Sequence, residues 1–399
     1  MHPAEMLRNS GKNGRFAGKH VLLCVTGSIA AVEDVKLIRE FLRQGADVTV
    51  AMTESASRIV HPEALWFASG RRVITTLDGD VQHVTLCGST SGSADTVLVA
   101  PCSADMISKL ATGICDDAVS TMLVTALGAG KPIVIAPSMH GDMWKNRIIQ
   151  DNLERLRALG VSVVEPSFEE GKAKMADIES IVCATGRSML GGELKGRRVT
   201  VIGGATAEPI DAVRFITNSS TGGTAVALAK EAYMRGAEVE LLMGNCSVQL
   251  PKFIPVKRFR TVKDLSSLIS GRRMDIALMP AAVSDYSPEK AYDGKIPSDR
   301  DSFSLVLKKN EKLVDSVDAS VLVAFKLEAG ISIDELKHKA KERMNKSRMT
   351  AIVANRLEDV REDRTKAFMI WKSGIEKELS GTREEIAREI IEQLIKCLK

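Results

Sequence analysis

Residues 18–28 (GKHVLLCVTGS) and residues 195–206 (KGRRVTVIGGAT) open the two halves of the chain in the same way. Each opening begins with basic residues, continues as a short apolar run typical of a buried strand, and ends in a turn that contains glycine. Strands that are apolar throughout are typical of parallel sheets covered on both faces. The two openings therefore predict two α/β units in tandem, joined by the glycine-rich stretch 186–196, and not a true repeat, because the likeness ends there.

Further apolar runs follow both openings and alternate with segments of helical spacing. We expect strands at 21–25, 48–52, 96–100, 133–136 and 161–164 in the first half, and at 199–203, 239–243, 276–279, 321–325 and 352–354 in the second. This alternation predicts an α/β protein with two tandem Rossmann-like, three-layer domains and mainly parallel sheets. We place an N-terminal extension at 1–17 and the domains at 18–190 and 191–399, the second closed by an amphipathic helix at 383–399.

Composition narrows the class of protein further. A length of 399 residues suits two domains, and 44% apolar with 27% charged residues is typical of a globular protein. With 55 basic and 51 acidic residues, the net charge of +4 gives no case for a nucleic-acid or membrane surface. The seven cysteines lack metal or paired spacing, and we find neither a membrane-spanning run nor a secretion signal. We therefore expect a cytoplasmic protein.

Polar turns in the first half indicate a ligand site. The turn at 26–31 (TGSIAA) follows a strand and opens a helix, where free N–H groups and the positive helix end attract phosphate. It lacks the full GxGxxG pattern, so it favours a mononucleotide over a dinucleotide, although an ordinary strand–helix turn fits equally well. Two more polar turns, at 101–105 and 116–121, are expected at the same sheet edge. Three such turns favour a phosphate-bearing cofactor.

Two further features of the first half carry candidate residues. Residues 136–144 (APSMHGDMW) lie between a predicted strand and a predicted helix at 145–160. Two methionines, an imidazole and a tryptophan in such a turn indicate a wall against a flat ring, with ordinary core packing as the alternative. His83 is one of only six histidines and precedes the strand that leads to Pro101, so it is a candidate catalytic residue.

The second half has its own phosphate-type loop. Ser219 to Gly223 is a run of small residues before a helix predicted to start near Thr224, which suits a phosphate cradle. A solvated loop is the alternative. The segment 281–286 (AAVSDY) and Lys295 follow it.

Taken together, these motifs resemble the family of bifunctional phosphopantothenoylcysteine decarboxylase/phosphopantothenate–cysteine ligases of coenzyme A biosynthesis. The likeness runs from about Val21 to the C-terminus. It implies FMN held between subunits and the small-molecule substrates 4′-phosphopantothenate, cysteine and CTP. It also implies a homo-oligomer, with trimers through the first half and dimers through the second, giving a dodecamer. Mg²⁺ is implied by the triphosphate, while no metal-ligand cluster is identified in the sequence.

For the first half, the resemblance implies that His83 is the catalytic base and that His140 and Met143 belong to the catalytic site. The implied FMN contacts are Gly27, Ser28, Ile29, Thr53, Ser103, Ser120 and Met139. Loss of CO₂ from a cysteinyl carboxylate leaves a carbanion that an ordinary thiol cannot stabilise. Oxidation of the thiol to a thioaldehyde creates the necessary electron sink, which is why a flavin is needed.

The sequence departs from the family pattern at three places. His140 stands where the family usually has an asparagine thought to bind the substrate carboxylate, and a histidine can still donate a hydrogen bond or carry positive charge. The substrate flap at 168–175 lacks the usual cysteine, so we expect water or a group such as Lys172 to replace it as proton donor. Gly223 occupies a position where many relatives have lysine.

For the second half, the resemblance implies that CTP activates phosphopantothenate as an acyl-cytidylate, which cysteine then attacks. Asn218 and Lys295 are the implied catalytic residues. The implied nucleotide contacts are Ala281, Asp285, Lys295, Leu313, Phe325, Arg343 and Lys346. We predict Arg343 and Lys346 on a basic helix, for which a purely solvated face fits equally well. The sequence leaves the choice between CTP and ATP open.

Two other functions compete with this interpretation. A flavoprotein that decarboxylates another cysteinyl compound, such as a peptide C-terminus, would explain the first half alone. A binding or regulatory protein, like the non-catalytic phosphatase partners that share the decarboxylase fold, would not need His83, Asn218 and Lys295. The bifunctional enzyme accounts for both halves, and we favour it.

Overall fold

Two separate, mainly parallel sheets form where the apolar runs predict strands. The structure is a computed structural model that describes residues 2–297, 302–361 and 364–398. It divides into two units, Met1–Gly191 and Gly192–Lys399. The segment predicted as an N-terminal extension forms a helix in the first unit, and its Arg8 pairs with Asp47.

The first unit contains eight strands and ten α-helices among the described residues. The strands are β1 (His20–Val25), β2 (Asp47–Met52), β3 (Thr96–Cys102), β4 (Ile133–Pro137), β5 (Met139–His140), β6 (Ser162–Val163), β7 (Ser167–Glu169) and β8 (Lys172–Lys174). The helices are α1 (Pro3–Ser10), α2 (Asp34–Arg43), α3 (Glu54–Ser57), α4 (Pro62–Ser69), α5 (Gln82–Cys87), α6 (Ala104–Thr112), α7 (Ala118–Gly128), α8 (Gly141–Lys145), α9 (Arg147–Ala158) and α10 (Ile178–Met189). A 3₁₀ helix, Ile29–Glu33, precedes α2.

The main sheet of this unit is fully parallel, with strand order β2-β1-β3-β4-β6. The chain runs outward from β1 to β2 and then returns to β3 on the other side of β1. Ligands of such sheets bind at the carboxyl ends of the strands, where the order reverses. The order therefore directs attention to the turns that follow β1 and β3.

The second unit contains twelve strands and four α-helices among the described residues. The strands are β9 (Arg198–Gly203), β10 (Ala207–Pro209), β11 (Phe215–Thr217), β12 (Glu238–Met243), β13 (Val256–Arg258), β14 (Arg273–Met279), β15 (Tyr286–Pro288), β16 (Leu307–Lys309), β17 (Asp318–Glu328), β18 (Ala351–Arg356), β19 (Thr365–Trp371) and β20 (Glu376–Gly381). The helices are α11 (Gly223–Met234), α12 (Val262–Ile269), α13 (Ile333–Asn345) and α14 (Arg383–Leu398).

The main sheet of the second unit has the order β13-β12-β9-β14-β17-β18-β19-β20. It is parallel up to β18, and the last two strands are antiparallel. Helices α11 and α14 pack in one apolar cluster, and α12 and α13 pack in another. The order reverses between β9 and β14, the switch point of this sheet. The predicted class, two mainly parallel three-layer α/β units, is confirmed.

Several predicted bounds differ from the structure for local reasons. The helix expected at 145–160 is interrupted at Asn146, whose side chain accepts a hydrogen bond from the N–H of Ile148 (2.9 Å) and so caps α9. The helix expected to start near Thr224 is α11, which begins at Gly223. The helix expected at 383–399 is α14, and Lys399 lies outside the described residues. The short strands β5, β7 and β8 and the antiparallel β19 and β20 were not expected.

Within the described ranges no helix is long and apolar enough to cross a membrane.

A buried carboxyl lies at the start of α2. Asp34 is inaccessible to solvent, and neither side-chain oxygen has a hydrogen-bond partner among the described residues. Burial, with a smaller contribution from Glu33, raises the pKa of this carboxyl well above its usual value. The favourable field of a helix N-terminus does not offset that burial.

Replacing Asp34 by asparagine is expected to remove a pH dependence of stability. Since the folded-state pKa lies above the unfolded one, the contribution of Asp34 to stability is complete below the unfolded pKa and is lost as pH rises through the folded pKa. The wild type should lose about 1.4 kcal/mol per pH unit across that window relative to Asp34→Asn. Urea unfolding can be followed by Trp66 and Trp144 fluorescence in a Trp371→Phe background, so that only the first unit is observed. Parallel pH profiles for the two proteins would contradict the prediction.

Candidate active sites

The first cavity lies at the carboxyl ends of β1, β2, β3 and β4. Its volume, about 550 Å³, is within the range of small-molecule sites. Six residues predicted from the sequence line it, namely Gly27, Ser28, Thr53, Ser103, Met139 and Met143. All three polar turns predicted to meet at one edge of the sheet, 26–31, 101–105 and 116–121, contribute residues to this lining, and the turns after β2 and β4 join them.

Close backbone packing shapes this cavity. A Cβ at Gly27 would lie 2.6 Å from the Cβ of Ser55, so the turn after β1 accepts only glycine. Thr53 and Ser103 accept hydrogen bonds from the N–H groups of Ala56 (3.2 Å) and Met106 (3.3 Å), which caps α3 and α6. Two helix N-termini therefore point to the cavity edge, where they favour an anion.

A charged cluster that sequence reasoning missed lines the same cavity. The Nζ of Lys109 lies 3.1 Å from Asp105 and Asp116 and 3.5 Å from Asp117. Burial alone would lower the pKa of Lys109, but hydrogen bonds to Asp116 and Asp105 outweigh it and the pKa is raised. The i, i+4 spacing of Asp105 and Lys109 on α6 was the available signal.

Four predicted residues do not line this cavity. Ile29 is 75% exposed on the 3₁₀ helix beside it. Ser120 is buried and completes a capping box with Asp117 at the start of α7. His83 lies half-buried on α5, and its Nδ1 is buried without a hydrogen-bond partner in the described part of the chain.

The fourth, His140, lies beside the flap. Strand β5 pairs antiparallel with β8, so His140 is directly opposite Lys172. The N–H of Gly141 donates to the carbonyl of Gly171 (3.0 Å), and a Cβ at Gly141 would lie 2.2 Å from that oxygen. Directly opposed residues have side chains on the same face of a sheet. The structure therefore brings together two of the places where this chain departs from the family pattern.

The second cavity lies at the carboxyl end of β14 and beside the adjacent parts of β17 and β18. Its volume is about 180 Å³, below the range for whole ligands, so it suits one part of a larger molecule. Five predicted residues line it, namely Ala281, Asp285, Leu313, Phe325 and Arg343. Its apolar floor includes Met279, Val283 and Ile352.

Two ion pairs border this cavity. Lys312, which sequence reasoning missed, pairs with Asp285. The Arg343 guanidinium donates to both carboxylate oxygens of Asp315 (2.8 and 2.9 Å), and the Ser347 hydroxyl donates to one of them (2.5 Å). Burial would raise the pKa of Asp315, but the hydrogen bonds from Ser347 and Arg343 outweigh it and lower the pKa.

Asn218, Lys295 and Lys346 lie outside the cavity lining. The Asn218 amide donates to the carbonyl of Ala282 (3.0 Å), which ties the small-residue loop to the segment 281–286. Lys346 is the exposed C-cap of α13, one residue beyond the helix on which it was expected. Within the described residues, no group of three or more His, Cys, Asp and Glu is arranged to hold a metal ion.

The segment that carries Lys295 is anchored at Asp211. The N–H of Ile296 donates to the Asp211 carboxylate (3.1 Å), and the N–H of Ala212 donates to the carbonyl of Gly294 (3.0 Å). Burial would raise the pKa of Asp211, but hydrogen bonds from the backbone N–H groups of Arg214, Val213 and Ile296 lower it to about 2. The ionised Asp211 carboxylate therefore fixes the backbone after the exposed Lys295, and the N–H of Ala212 fixes the backbone before it.

Comparisons with known proteins agree with this division. The family described as Flavoprotein matches residues 10–189, and that described as DNA/pantothenate metabolism flavoprotein C-terminal domain matches residues 194–398. The Coenzyme A biosynthesis bifunctional protein CoaBC of Thermococcus kodakarensis is 40% identical over 97% of each chain. The protein of the same name from Methanocaldococcus jannaschii is 35% identical over 100% of this chain and 98% of its own.

Among solved structures, the C-terminal domain of a Coenzyme A biosynthesis bifunctional protein CoaBC is 26% identical, covers 52% of this chain and 98% of that chain, and has a TM-score of 0.43. The resemblance read from the motifs is thus confirmed by relatives that match along nearly the whole chain. The chain belongs to the family of bifunctional coenzyme A biosynthesis proteins, in which a flavoprotein domain is followed by a pantothenate-metabolism domain.

Proposed function

We propose that the protein ligates 4′-phosphopantothenate to cysteine with CTP and then decarboxylates the resulting phosphopantothenoylcysteine to 4′-phosphopantetheine with FMN. The observation that carries the proposal is that each unit has a cavity at its strand ends, lined by residues that the family motifs single out. None of the seven cysteines, which all lie among the described residues, forms a disulfide, and this supports a reducing compartment such as the cytoplasm.

The first cavity fits FMN in size and in chemistry. The Gly27 turn and the N-termini of α3 and α6 suit a phosphate, while Met139 and Met143 offer apolar surface to a flat ring. FMN, when bound, supplies the reversible two-electron chemistry that makes a cysteinyl carboxylate able to lose CO₂. The protein's part is to orient the substrate thiol and carboxylate and to move protons.

His83 is proposed as the base that removes a proton from the substrate. The Nδ1 of His83 has no hydrogen-bond partner in the described part of the chain, and His83 does not line the first cavity of the chain that contains it. Both observations support a site that is completed by a second copy of the chain. The strongly exposed Ile29 and the half-exposed Val32, on the 3₁₀ helix that follows the Gly27 turn, offer apolar surface for that copy. We therefore propose a homo-oligomer, with trimers through the first unit.

Complementation between two inactive variants tests this sharing. His83→Asn removes the base, and Gly27→Val blocks the cavity through its contact with Ser55. Each variant expressed alone should have a decarboxylation rate at least about 10²-fold below that of the wild type. Co-expressed mixed oligomers should regain a measurable fraction, because some sites then combine an intact cavity with an intact His83. Light scattering gives the oligomeric state, and mixed oligomers that stay inactive would contradict a shared site.

Lys172 is proposed to donate a proton to the decarboxylated substrate as it is converted to the product thiol. It would replace the missing flap cysteine in this role, with water as the alternative donor. Its position opposite His140 supports this role, because His140 is the proposed carboxylate contact and both lie on one face of the hairpin. Two ion pairs from Lys174, to Glu169 and Glu170, hold the turn that carries it.

Substitutions of Lys172 distinguish a proton donor from a positive charge. Lys172→Ala is expected to lower decarboxylation turnover by about 10²-fold with little change in substrate affinity. Lys172→Arg keeps the charge but cannot release a proton at neutral pH, so it should remain slow. Steady-state kinetics with phosphopantothenoylcysteine provide the measurement. Full turnover by the alanine variant would assign the proton to water, and rescue by arginine would assign the lysine an electrostatic role.

The second cavity and its surroundings are proposed to bind CTP. The phosphopantothenate carboxylate attacks the α-phosphate of CTP, which releases pyrophosphate and leaves an acyl-cytidylate. The cysteine amine then attacks the acyl carbon and releases CMP. Lys295 and Asn218 are proposed to stabilise charge during these steps, with Mg²⁺ held mainly by the triphosphate oxygens.

The whole sequence is tested with the intact, flavin-loaded chain. Incubation with 4′-phosphopantothenate, cysteine, CTP and Mg²⁺ should yield 4′-phosphopantetheine, CMP and pyrophosphate, all identified by mass. The matched variant Asn218→Ala, which keeps the first unit intact, should form at least about 10-fold less ligated product. Accumulation of the carboxylated conjugate alone would show a working ligase with a decarboxylase that serves another substrate.

A further inference from the structure

We propose that Lys312 exchanges partners when a nucleotide binds: it pairs with Asp285 in the absence of nucleotide and with a nucleotide phosphate in its presence. Lys312 would then make the second site discriminate a nucleoside triphosphate from the bare nucleoside. This inference rests on the proposed nucleotide site, and it concerns a residue that the family motifs did not single out.

Lys312 and Asp285 both line the second cavity and bind each other. Asp285 is proposed to contact the nucleoside, whose amino and hydroxyl groups are hydrogen-bond donors. Lys312 occupies one oxygen of this carboxylate, so a nucleoside donor that takes that oxygen displaces the ammonium. The side chains are 48% and 56% exposed, and ion pairs this exposed are weak enough to exchange.

Backbone hydrogen bonds hold Lys312 beside the second cavity, whichever partner its side chain binds. The N–H of Asn310 donates to the carbonyl of Asp285 (2.8 Å), and the Asn310 amide donates to the carbonyl of Ser284 (2.9 Å). The Ser287 hydroxyl donates to the Asn310 side chain (2.7 Å). Only the flexible lysine side chain has to move, so the displaced charge stays at the cavity.

Two other cations line this cavity, Lys326 and Arg343, and each is paired with a carboxylate that does not line it. Arg343 shows the contrast with Lys312 most clearly. Its guanidinium binds Asp315 through two hydrogen bonds, and Asp315 is held again by Ser347. Asp315 does not line the second cavity, so a nucleoside has no reason to compete for it. Arg343 therefore keeps its partner, whereas the partner of Lys312 is the one that the ligand claims.

Opposite effects on two probes follow from this exchange. Cytidine must displace Lys312 without offering a phosphate in return, so loss of the lysine should help cytidine to bind. CTP offers the ammonium a more highly charged partner than the one it leaves, so loss of the lysine should weaken CTP. A residue that merely supports the fold would shift both affinities in the same direction.

Titration calorimetry with the full-length chain measures both affinities, using cytidine alone and CTP with Mg²⁺. For Lys312→Gln we expect cytidine to bind about two- to fivefold more tightly and CTP about tenfold more weakly. In the matched comparison Arg343→Gln, CTP should weaken because a positive charge is lost at the cavity, and cytidine should not bind more tightly, because Arg343 does not occupy the Asp285 carboxylate. Lys312→Arg should stay close to wild type for both ligands, and circular dichroism verifies that each variant is folded.

Unchanged or weaker cytidine binding by Lys312→Gln would overturn the exchange, as would unchanged CTP binding. If the wild type still forms the ligated product from CTP, such a result leaves the proposed ligase function intact. If the wild type binds neither cytidine nor CTP and makes no product, the nucleotide site itself is wrong and the exchange fails with it.

Discussion

A threonine hydroxyl bridges the point of strand reversal in each of the two sheets. In the first unit, the Thr26 hydroxyl donates to the carbonyl of Pro101 (2.7 Å) and accepts from the N–H of Ser103 (2.9 Å). In the second, the Thr206 hydroxyl donates to the Ser284 hydroxyl (2.9 Å) and accepts from the N–H of the same residue (3.0 Å). Each bridge joins the turns after neighbouring parallel strands, β1 with β3 and β9 with β14. Both threonines and Ser284 are buried, which makes these bonds costly to lose.

This bridging positions turns that border the two cavities. Adjacent parallel strands end at the same edge of the sheet, and the threonine hydroxyl bonds the turns that follow them to each other. The bond at Thr26 holds the Gly27 turn beside Ser103, and the bond at Thr206 holds the segment 281–286 near the small-residue loop. Each unit thus reaches a similar arrangement by a threonine close behind its first strand, one residue beyond β1 and three residues beyond β9.

The sequence was informative wherever a local pattern determines structure. The buried strands read from apolar runs and the glycine turn at Gly27 needed only neighbouring residues to be recognised. Strands β19 and β20 were missed because antiparallel edge pairing depends on partners in space. Lys109 and Lys312 were missed as site residues because a lysine next to acidic residues usually marks a solvated surface. Nothing in the residues next to His83 indicates that it lies outside the first cavity of the chain that contains it.

The lysines that line the two cavities are paired with neighbouring carboxylates. Lys109 lies among Asp105, Asp116 and Asp117, and Lys312 pairs with Asp285. In the first cavity, attraction for an anion therefore has to come from backbone N–H groups at helix N-termini, which carry no mobile charge. A site of this kind acts on a ligand only at short range, in keeping with the nearly balanced charge of the chain.

The contact between Gly141 and Gly171 limits what can be engineered at the flap. A methyl group at position 141 would collide with the flap backbone, so the close approach of β5 and β8 requires glycine there. In this pairing, position 140 faces position 172. A substitution at either position therefore changes the chemical surroundings of the other, and any redesign of the flap has to treat residues 140 and 172 as a pair.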